Sequence, residues 1–556
     1  MVARTDSGFA ADGAVSDSDR WLSVIWKDVV GMVSRLQARI VKAAKTGDRK
    51  RMRGLRRLLV RSEAAKLLAV KRVTSNRGKK TAGVDGVKLE TPAEKWQEAR
   101  KLNRRGCRPK PLKRTYIPKK NGKKRPLGIP TMRDRAEQAL ELMALDPMAE
   151  CTADMHSYGF RRKRSVHDAI EACYNASRLK GSAKWILEAD IKGCFDNISH
   201  EWMTENIPTD RTKLGRWLRA GFMERGVFNP TEAGTPQGGI ISPTLANMAL
   251  DGLQNLPETN FGKRQKIHYV RYADDFIVTG ETREILENEV KPLITGFLGE
   301  RGLELSEEKT RISHINDGFD FLGFNIRKIS GKMRTRPAKS SVRSVKEKIR
   351  ERVGARKSAK TDSPIRLLNP IIRGWANYNR HVVSRKIFGK TDHDIWEMTW
   401  RWAKRRHPNK SLKWIKSKYF QHEGSRKWVF REKNGNEKLI KMNDIPVRRH
   451  IKIRADANPY DPEWCDYFTE REKKKHERNV RSKRSGMWTR QHGVCPICQL
   501  PLDGDGELWD IHHIIPKSEG GGDGTENLTL LHLTCHEQIH SARRLPPDAS
   551  RRLINA

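Results

Sequence analysis

The sequence has no apolar run long enough to cross a bilayer. None approaches the roughly 18 consecutive apolar residues of a membrane helix. The first twenty residues are small, polar and mildly acidic, without the apolar segment of a secretory signal. Hydrophobic residues make up 36% of the 556, which is low but enough for several cores. These absences argue against a membrane or secreted protein, and against wholesale disorder. We expect an intracellular protein, either bacterial and cytoplasmic or organellar.

Cysteine is also scarce, with eight residues in the chain. Most are scattered, but Cys495, Cys498 and Cys535 lie close together near the C-terminus. An intracellular protein keeps its thiols reduced, so this cluster indicates metal ligation rather than a disulfide framework.

Acidic residues are too few to balance the basic ones: 67 Asp and Glu stand against 111 Lys and Arg, giving a net charge of +44. Such an excess needs a polyanionic partner, and each phosphate neutralised by a nucleic-acid-binding protein releases condensed counterions. Charge alone would also fit a ribosomal, histone-like or membrane-surface protein. It therefore indicates a protein that binds a polyanion, and nothing finer.

The length predicts three or four domains. From about 110 to 330, short β-branched and aromatic runs alternate with helical patterns, which predicts an α+β or α/β domain. After Gly331 the pattern is helical and basic. There, Trp396 and Trp400 share a helix face, which indicates a bundle core rather than base stacking. Residues 471–490 carry nine Lys/Arg and two Glu, as in a basic linker or arm.

The central domain contains a carboxylate pattern suited to phosphoryl transfer. Two strand-like runs flank Ala273-Asp274-Asp275, which predicts a hairpin with adjacent carboxylates at its tip. Another strand pattern, 84 residues earlier, ends at Asp190. Like charges held together repel unless a cation offsets them. Two strand ends of this kind could hold a pair of Mg²⁺ ions about 4 Å apart. Either piece alone would more simply be an acidic turn or a surface Asp. Their order, with Gly234-Thr-Pro-Gln-Gly-Gly between them, makes the pattern specific.

At these motifs the chain resembles the group II intron-encoded reverse transcriptase/maturases, over nearly its whole length. The resemblance rests on five further blocks in the family's order: Thr81–Gly86, Thr115–Pro130, Ser157–Ser165, Gly234–Pro243 and Phe319–Phe324. It implies a multidomain α+β fold, with right-hand polymerase fingers and palm, a helical thumb and maturase domain, and a small ββα-metal module. The predicted domains are a leader and helical N-terminal extension (1–75), fingers and palm (76–330), thumb and maturase (331–455), a basic DNA-binding arm (456–490) and a nuclease (491–556).

The resemblance also implies the polymerase site. Asp190 and Asp274 would ligate both Mg²⁺ ions, with the carbonyl of Ile191 assisting and Asp275 beside them. The implied nucleotide-binding residues are Lys119 and Arg125 for the triphosphate, Phe195 against the ribose 2′ position, and Gln237 in a glycine-rich loop near the template–primer. Packing in the palm core is an alternative role for Phe195.

The C-terminal cysteines form two pairs with ligand spacing. Cys495 and Cys498 make a CxxC knuckle, and His532 and Cys535 make an HxxC pair. Four such ligands predict a tetrahedral structural Zn²⁺ site. The nuclease family that this module resembles most often has cysteine where this chain has His532; imidazole is an acceptable zinc ligand, so a Cys₃His site is expected.

Interleaved with these pairs is a pattern that resembles the HNH endonucleases. Intervals of 14 and 9 residues join His513, Asn527 and His536. In that resemblance His513 is the general base, Asn527 fixes its ring, and His512, His536 and His540 hold one divalent ion such as Mg²⁺. Asp510 would orient or supplement that site.

These features predict a multifunctional mobile-intron protein. Its functions would be RNA-directed DNA polymerase, maturase for the intron RNA, and endonuclease that nicks target DNA to prime reverse transcription. The expected partners are intron RNA in a ribonucleoprotein, target DNA and deoxynucleoside triphosphates, with no membrane. Two alternatives remain: an RNA-binding splicing cofactor whose polymerase is dispensable, and a homing nuclease with a vestigial polymerase.

Overall fold

The computed structural model describes residues 15–103, 108–118, 122, 124–354, 362–431, 437–478, 483–502 and 509–541. Within those ranges, no helix is both long enough and apolar enough to cross a membrane. The chain folds into α-helices and several small β-sheets, in agreement with the predicted α+β class.

Five helices form the N-terminal region: α1 Asp17–Leu22, α2 Trp26–Lys45, α3 Arg49–Arg61, α4 Glu63–Thr74 and α5 Pro92–Lys101. Helix begins at Asp17, where Ser16 caps α1, and Trp21 is buried against Trp26. The apolar stripe of α2 packs on a long helix of the central region, α6 Met132–Thr152. Residues 1–14 of the expected leader lie outside the described residues.

The central region contains two four-stranded sheets and the helices around them. Its elements are β1 Leu112–Pro118, β2 Lys124–Ile129, α6 Met132–Thr152, α7 Val166–Ser177, β3 Trp185–Asp190, α8 Cys194–Asn197, α9 His200–Asn206, α10 Arg211–Leu218, β4 Phe222–Glu224, β5 Val227–Asn229, α11 Ser242–Leu250, α12 Asn255–Asn260, β6 Tyr269–Tyr272, β7 Asp275–Gly280, α13 Lys291–Gly299 and β8 Arg311–His314. A π-helical turn, Ile285–Val290, leads into α13. The fingers sheet has the order β2-β1-β4-β5, and the palm sheet has the order β6-β7-β3-β8.

Every pairing in the palm sheet is antiparallel. Strands β3 and β7 are almost entirely buried, because helices and loops cover the sheet and the apolar runs have no solvent-facing side. A strand that is buried on both faces has a continuous apolar sequence. Both strands could therefore be predicted from the sequence.

A buried arginine supports the hairpin strand of the palm. The side chain of Arg271, in β6, is fully buried and donates to an Asp251 carboxylate oxygen at 2.6 Å. It also lies 3.8 Å from Asp154. Burial raises the pKa of Asp251 to about 7, against the opposing effect of the Arg271 charge. The hairpin is therefore supported by a buried ion cluster of Arg271, Asp154 and Asp251.

Replacing Arg271 with leucine is expected to destabilise the palm. The change leaves two buried carboxylates without their counter-charge, a loss of about 3–5 kcal/mol for broken buried pairs. Chemical denaturation should show a lower midpoint for Arg271→Leu. The control is Arg283→Leu, whose exposed pair with Glu287 contributes only about 0–1 kcal/mol. Equal midpoints for the two variants would contradict this account.

A helical bundle follows the palm. Its elements are β9 Phe319–Phe321, β10 Phe324–Ile329, β11 Lys332–Pro337, α14 Lys339–Gly354, α15 Asp362–Asn379, α16 Arg385–Arg406, α17 Leu412–Tyr419, β12 Phe420–Glu423 and β13 Arg426–Phe430. The predicted tryptophan stripe packs inside this bundle: Trp396 and Trp400 both contact the ring of Trp428 edge-to-face. The core interpretation of these tryptophans is confirmed.

The C-terminal region consists of α18 Cys465–Glu477, α19 Lys483–Arg490, β14 Trp509–His513, β15 Leu528–His532 and α20 Leu533–Ser541. The first half of the expected basic arm is docked on the palm. Arg471 of α18 is buried and donates to Asp168 at 2.9 Å, and Phe468 packs in the same core as the palm strands. Strands β14 and β15 pair antiparallel and α20 follows at once, which gives the predicted ββα order.

Candidate functional site

The predicted carboxylates meet at one edge of the palm sheet. Asp190 is the last residue of β3 and pairs in register with Asp275, the first residue of β7. Tyr272 pairs with Asp275, so Ala273 and Asp274 form a two-residue turn. Ala273 has a φ of 59°, in the left-handed region that tight hairpins require. The sequence prediction of a hairpin tip facing Asp190 is confirmed.

A neighbouring segment holds this tip in place. The amide of Tyr158 donates to the carbonyl of Arg271 at 2.9 Å, which adds a short extended segment beside β6. Gly159 then passes directly over the turn: a Cβ on Gly159 would lie 2.3 Å from the nitrogen of Ala273. Only glycine allows this approach, which gives Gly159 of the Ser157–Ser165 block a steric role at the turn.

Two of the three carboxyl groups, those of Asp274 and Asp275, have raised pKa values. Burial, then a hydrogen bond with Asp190 and the charge of Asp274, raise the pKa of Asp275 to about 7. Burial also raises the pKa of Asp274. A set of carboxylates that binds a proton near neutrality suits divalent cations, which displace that proton and offset the negative charge. The donor set therefore fits the Mg²⁺ ions that the sequence implied.

Lys309 is a site residue that sequence reasoning missed. Its Nζ lies 2.5 Å from Oδ2 of Asp190, and the carboxylates of the site raise the pKa of this ammonium. It follows two glutamates in a loop before β8, where nothing in the local pattern distinguishes it from other surface lysines. Only the fold brings it to the carboxylates.

The other polymerase residues surround the same edge. Hydrogen bonds on either side of Ile191 join Asp190 to Ser306 and Lys192 to Glu304, which directs the Ile191 carbonyl away from that segment. Arg125, exposed on β2, is close enough for its charge to lower the pKa of Asp274 against the effect of burial. Lys119 lies outside the described residues.

Phe195 and Gln237 lie in two segments that contact each other, since the amide of Thr235 donates to the carbonyl of Phe195. Phe195, in α8, is half-buried and meets the ring of Phe160 edge-to-face at 6.0 Å. The side-chain amide of Gln237 donates to both carboxylate oxygens of Asp196 at 3.2 Å. The backbone carbonyl of Gln237 accepts from Gly128 of β2, so the glycine-rich loop bridges fingers and palm.

The four predicted zinc ligands converge and are buried. Ligand atoms of Cys495, Cys498, His532 and Cys535 all lie within 4.8 Å of one another. Nε2 of His532 lies 3.2 Å from the carbonyl oxygen of Pro501, which can only accept, so this nitrogen carries the proton. Nδ1 is then unprotonated and lies 3.3 Å from the sulfur of Cys498. His532 is thus oriented as a ligand, and the cluster is compatible with zinc.

The three histidines of the nuclease module also converge. Ligand atoms of His512, His536 and His540 lie within 4.8 Å of one another. The Nε2 atoms of His536 and His540 are 3.1 Å apart, since positions i and i+4 of α20 share a face. Burial lowers the pKa of His512 to about 4, which keeps that ring neutral. Asp510 lies 3.6 Å from Nδ1 of His536, where it can orient that ring.

The surroundings of His513 differ from the expectation. Nε2 of His513 contacts the carboxylate of Asp523 at 2.9 Å, and Asp523 also pairs with Lys517. Asn527 does not fix the ring. Its side chain bonds both backbone groups of Ile515 and the carbonyl of Gly522, and so braces the loop that follows β14. Asp523 lies in a glycine-rich loop, and nothing in the local sequence indicated that it would contact His513.

Fold and sites together define a nucleic-acid polymerase of the right-hand type joined to a ββα-metal nuclease module. Four family models match the chain: the N-terminal domain of reverse transcriptase over residues 21–102, reverse transcriptase (RNA-dependent DNA polymerase) over 117–326, the group II intron maturase-specific domain over 342–420, and HNH endonuclease over 495–542.

Curated relatives give the same result. Protein YkfC of Escherichia coli is 33% identical over 354 residues, which cover 54% of this chain and 91% of that protein. The group II intron-encoded protein LtrA of Lactococcus lactis is 31% identical over 377 residues, covering 52% of this chain and 61% of LtrA. The chain belongs to the group II intron-encoded reverse transcriptase/maturases and carries a C-terminal HNH endonuclease domain. It is a multifunctional intron protein, and its family is RNA-binding.

Among solved structures, the telomerase of Candida albicans matches with a TM-score of 0.35 and 12% identity, over 58% of this chain and 63% of that one.

Proposed function

We propose that this protein copies RNA into DNA at the palm carboxylates. The observation that carries the proposal is the register of Asp190 against Asp275, with Asp274 at the adjoining turn. Two Mg²⁺ ions held by Asp190, Asp274 and the Ile191 carbonyl would activate the primer 3′-hydroxyl and stabilise the pyrophosphate that leaves. Lys119 and Arg125 bind the triphosphate of the incoming nucleotide, and Gln237 lies along the template–primer.

Primer extension on an RNA template tests this directly. The purified full-length chain, given deoxynucleotides and Mg²⁺, should extend a DNA primer, and EDTA should stop the reaction. Synthesis that is absent at every Mg²⁺ concentration would contradict the proposal and favour a nuclease with a vestigial polymerase.

Phe195 is proposed to exclude the ribose 2′-hydroxyl. Its ring packs edge-to-face against Phe160, whose neighbour Gly159 lies over the carboxylate turn. Phe195→Ala removes this barrier and is expected to raise the incorporation of ribonucleotides relative to deoxynucleotides by about 10–100-fold, the range of one steric contact of 1–3 kcal/mol. Single-nucleotide incorporation assays measure the ratio. Trp217→Ala, a core aromatic in the same domain, is the control: an equal change in that variant would mean that Phe195 only packs the palm.

We propose further that the maturase region and N-terminal extension bind the intron RNA and assist its splicing, and that the HNH module nicks target DNA. In the nuclease, Asp523 holds Nε2–H of His513, which leaves Nδ1 of that ring to deprotonate water. His512, His536 and His540 would hold a divalent ion that stabilises the phosphorane and the leaving oxygen. The 3′-hydroxyl produced by the nick would prime DNA synthesis in the intracellular ribonucleoprotein.

The second candidate function is an RNA-binding splicing cofactor whose polymerase is dispensable. The observation that favours it is the extent of basic surface outside the polymerase edge, as in α14, where only Val345, Ile349 and Val353 are buried. Splicing by a polymerase-dead variant separates the two, as argued in the Discussion.

A further inference from the structure

Three histidines that belong to neither active site converge at the junction of the palm, the maturase bundle and the C-terminal region. His167 lies in the first turn of α7, His381 follows the end of α15, and His450 lies in the segment between β13 and α18. One ring nitrogen from each lies within 4.8 Å of the other two. The ring centroids are 4.5 to 5.5 Å apart. We propose that this cluster, the junction histidines, binds one divalent transition-metal ion, with Zn²⁺ the best match.

Hydrogen bonds fix which nitrogen of each ring is available. Nε2 of His167 lies 2.8 Å from the Tyr378 carbonyl, and Nδ1 of His381 lies 2.9 Å from the Arg448 carbonyl. A carbonyl oxygen only accepts, so those two nitrogens carry protons and the opposite nitrogens have free lone pairs. His450 directs Nε2 to the Asp168 carboxylate at 2.9 Å, which leaves Nδ1 for the cluster.

This is the arrangement that metal-binding histidines require. A ligating imidazole donates its other N–H to a carbonyl or carboxylate, which sets the tautomer and the orientation of the ring. Asp168 is itself held by Arg471, by the amide of Ile453 and by Ser165, so it is a rigid partner for His450. Each of the three rings is thus held at one nitrogen by an acceptor, which leaves its other nitrogen as the metal donor.

The electrostatic setting selects the class of metal. The rings line a cavity of about 500 Å³ whose other side chains include Arg449, Arg478 and Arg484. This positive wall opposes any divalent cation, so a bound ion has to be held by the imidazole lone pairs, which are poor donors for Mg²⁺ or Ca²⁺. Imidazole donors favour Zn²⁺, Cu²⁺ or Ni²⁺. All three rings are half-buried, so water can reach the metal and complete a tetrahedral site with three protein ligands.

The consequence for the protein is a cross-link between distant parts of the chain. The three ligands are 214 and 69 residues apart and come from the palm, the end of the maturase helix α15 and the segment before α18. One ion would therefore fix the maturase bundle and the docked helix α18 on the palm, without contacting the polymerase carboxylates or the nuclease histidines.

Metal content of the full-length chain tests the proposal. All proteins carry His540→Ala, so that the nuclease histidines do not contribute a third ion, and all are treated with a weak chelating resin before elemental mass spectrometry. We expect two zinc ions per chain in this background, one on the cysteine cluster and one on the junction histidines. Adding His381→Ala should reduce the count to one. Adding His422→Ala, an exposed histidine of β12, should leave it at two.

Two results would overturn the proposal: a count of one in the background protein, or a count of two after His381→Ala. If His381→Ala does not fold, the background count alone still decides. Cobalt provides a second measurement on that background. The junction histidines should give weak visible absorption without the intense near-ultraviolet thiolate bands of the cysteine site. Failure to observe a cobalt site of this nitrogen-ligated type would also overturn it.

Discussion

Replacing Asp274 with asparagine is expected to reduce RNA-templated DNA synthesis by at least ~1,000-fold. The substitution removes one charge from a carboxylate set in which burial, a hydrogen bond with Asp190 and the neighbouring charges raise the pKa of Asp275 to about 7, so the affinity for Mg²⁺ falls together with stabilisation of the transition state. A loss of about 4 kcal/mol, within the several kcal/mol that metal catalysis contributes, corresponds to that factor. Primer extension under single-turnover conditions provides the measurement.

The matched control is Asp317→Asn, an exposed aspartate in the turn after β8 that lies outside the carboxylate edge. It should retain the activity of the unaltered chain. Splicing of the cognate intron should survive in Asp274→Asn, because that variant keeps the shape and all of the positive charge of the RNA-binding surfaces. Loss of splicing together with polymerisation would mean that the carboxylates serve RNA folding as well. Full DNA synthesis by Asp274→Asn would refute the assigned polymerase site.

His513→Ala is expected to have the second-largest effect, a loss of about 100- to 10,000-fold in strand cleavage, the range for removing a general base. His513 follows His512 in β14 but is not part of the histidine cluster and directs its Nε2 to Asp523, which fits a base rather than a ligand. A nicking assay on target DNA, with the assembled ribonucleoprotein, measures the effect.

The polymerase should be unaffected by His513→Ala when a primer is supplied, since the zinc cluster and the ββα core are unchanged. His422→Ala again serves as the control and should cleave normally. If His513→Ala cleaves normally, the base must be another group of the module. If it instead loses splicing, the module has a structural function in the ribonucleoprotein.

The carboxylate hairpin tip and each of the two zinc-ligand pairs could be predicted because their information is local. The turn at Ala273–Asp274 lies between two apolar strands, and an antiparallel hairpin of two-residue length allows only one register. Likewise, Cys495 and Cys498 form a turn by themselves, and strand β15 running directly into α20 places His532 and Cys535 together. Short spacing constrains such groups before any tertiary contact forms.

Tertiary structure alone decided the residues whose partners are far along the chain. Lys309 meets Asp190 from 119 positions away, and the junction histidines come from three separate regions. Asp523 rather than Asn527 contacts the ring of His513. The Asn527 side chain is instead hydrogen-bonded to both backbone groups of Ile515. From composition, we predicted a basic arm in the region of α18. The structure instead docks α18 on the palm through Arg471, because a charge count does not reveal that this arginine forms a buried ion pair with Asp168. The sequence determines which groups are available and how local turns join them; long-range packing determines which of them meet.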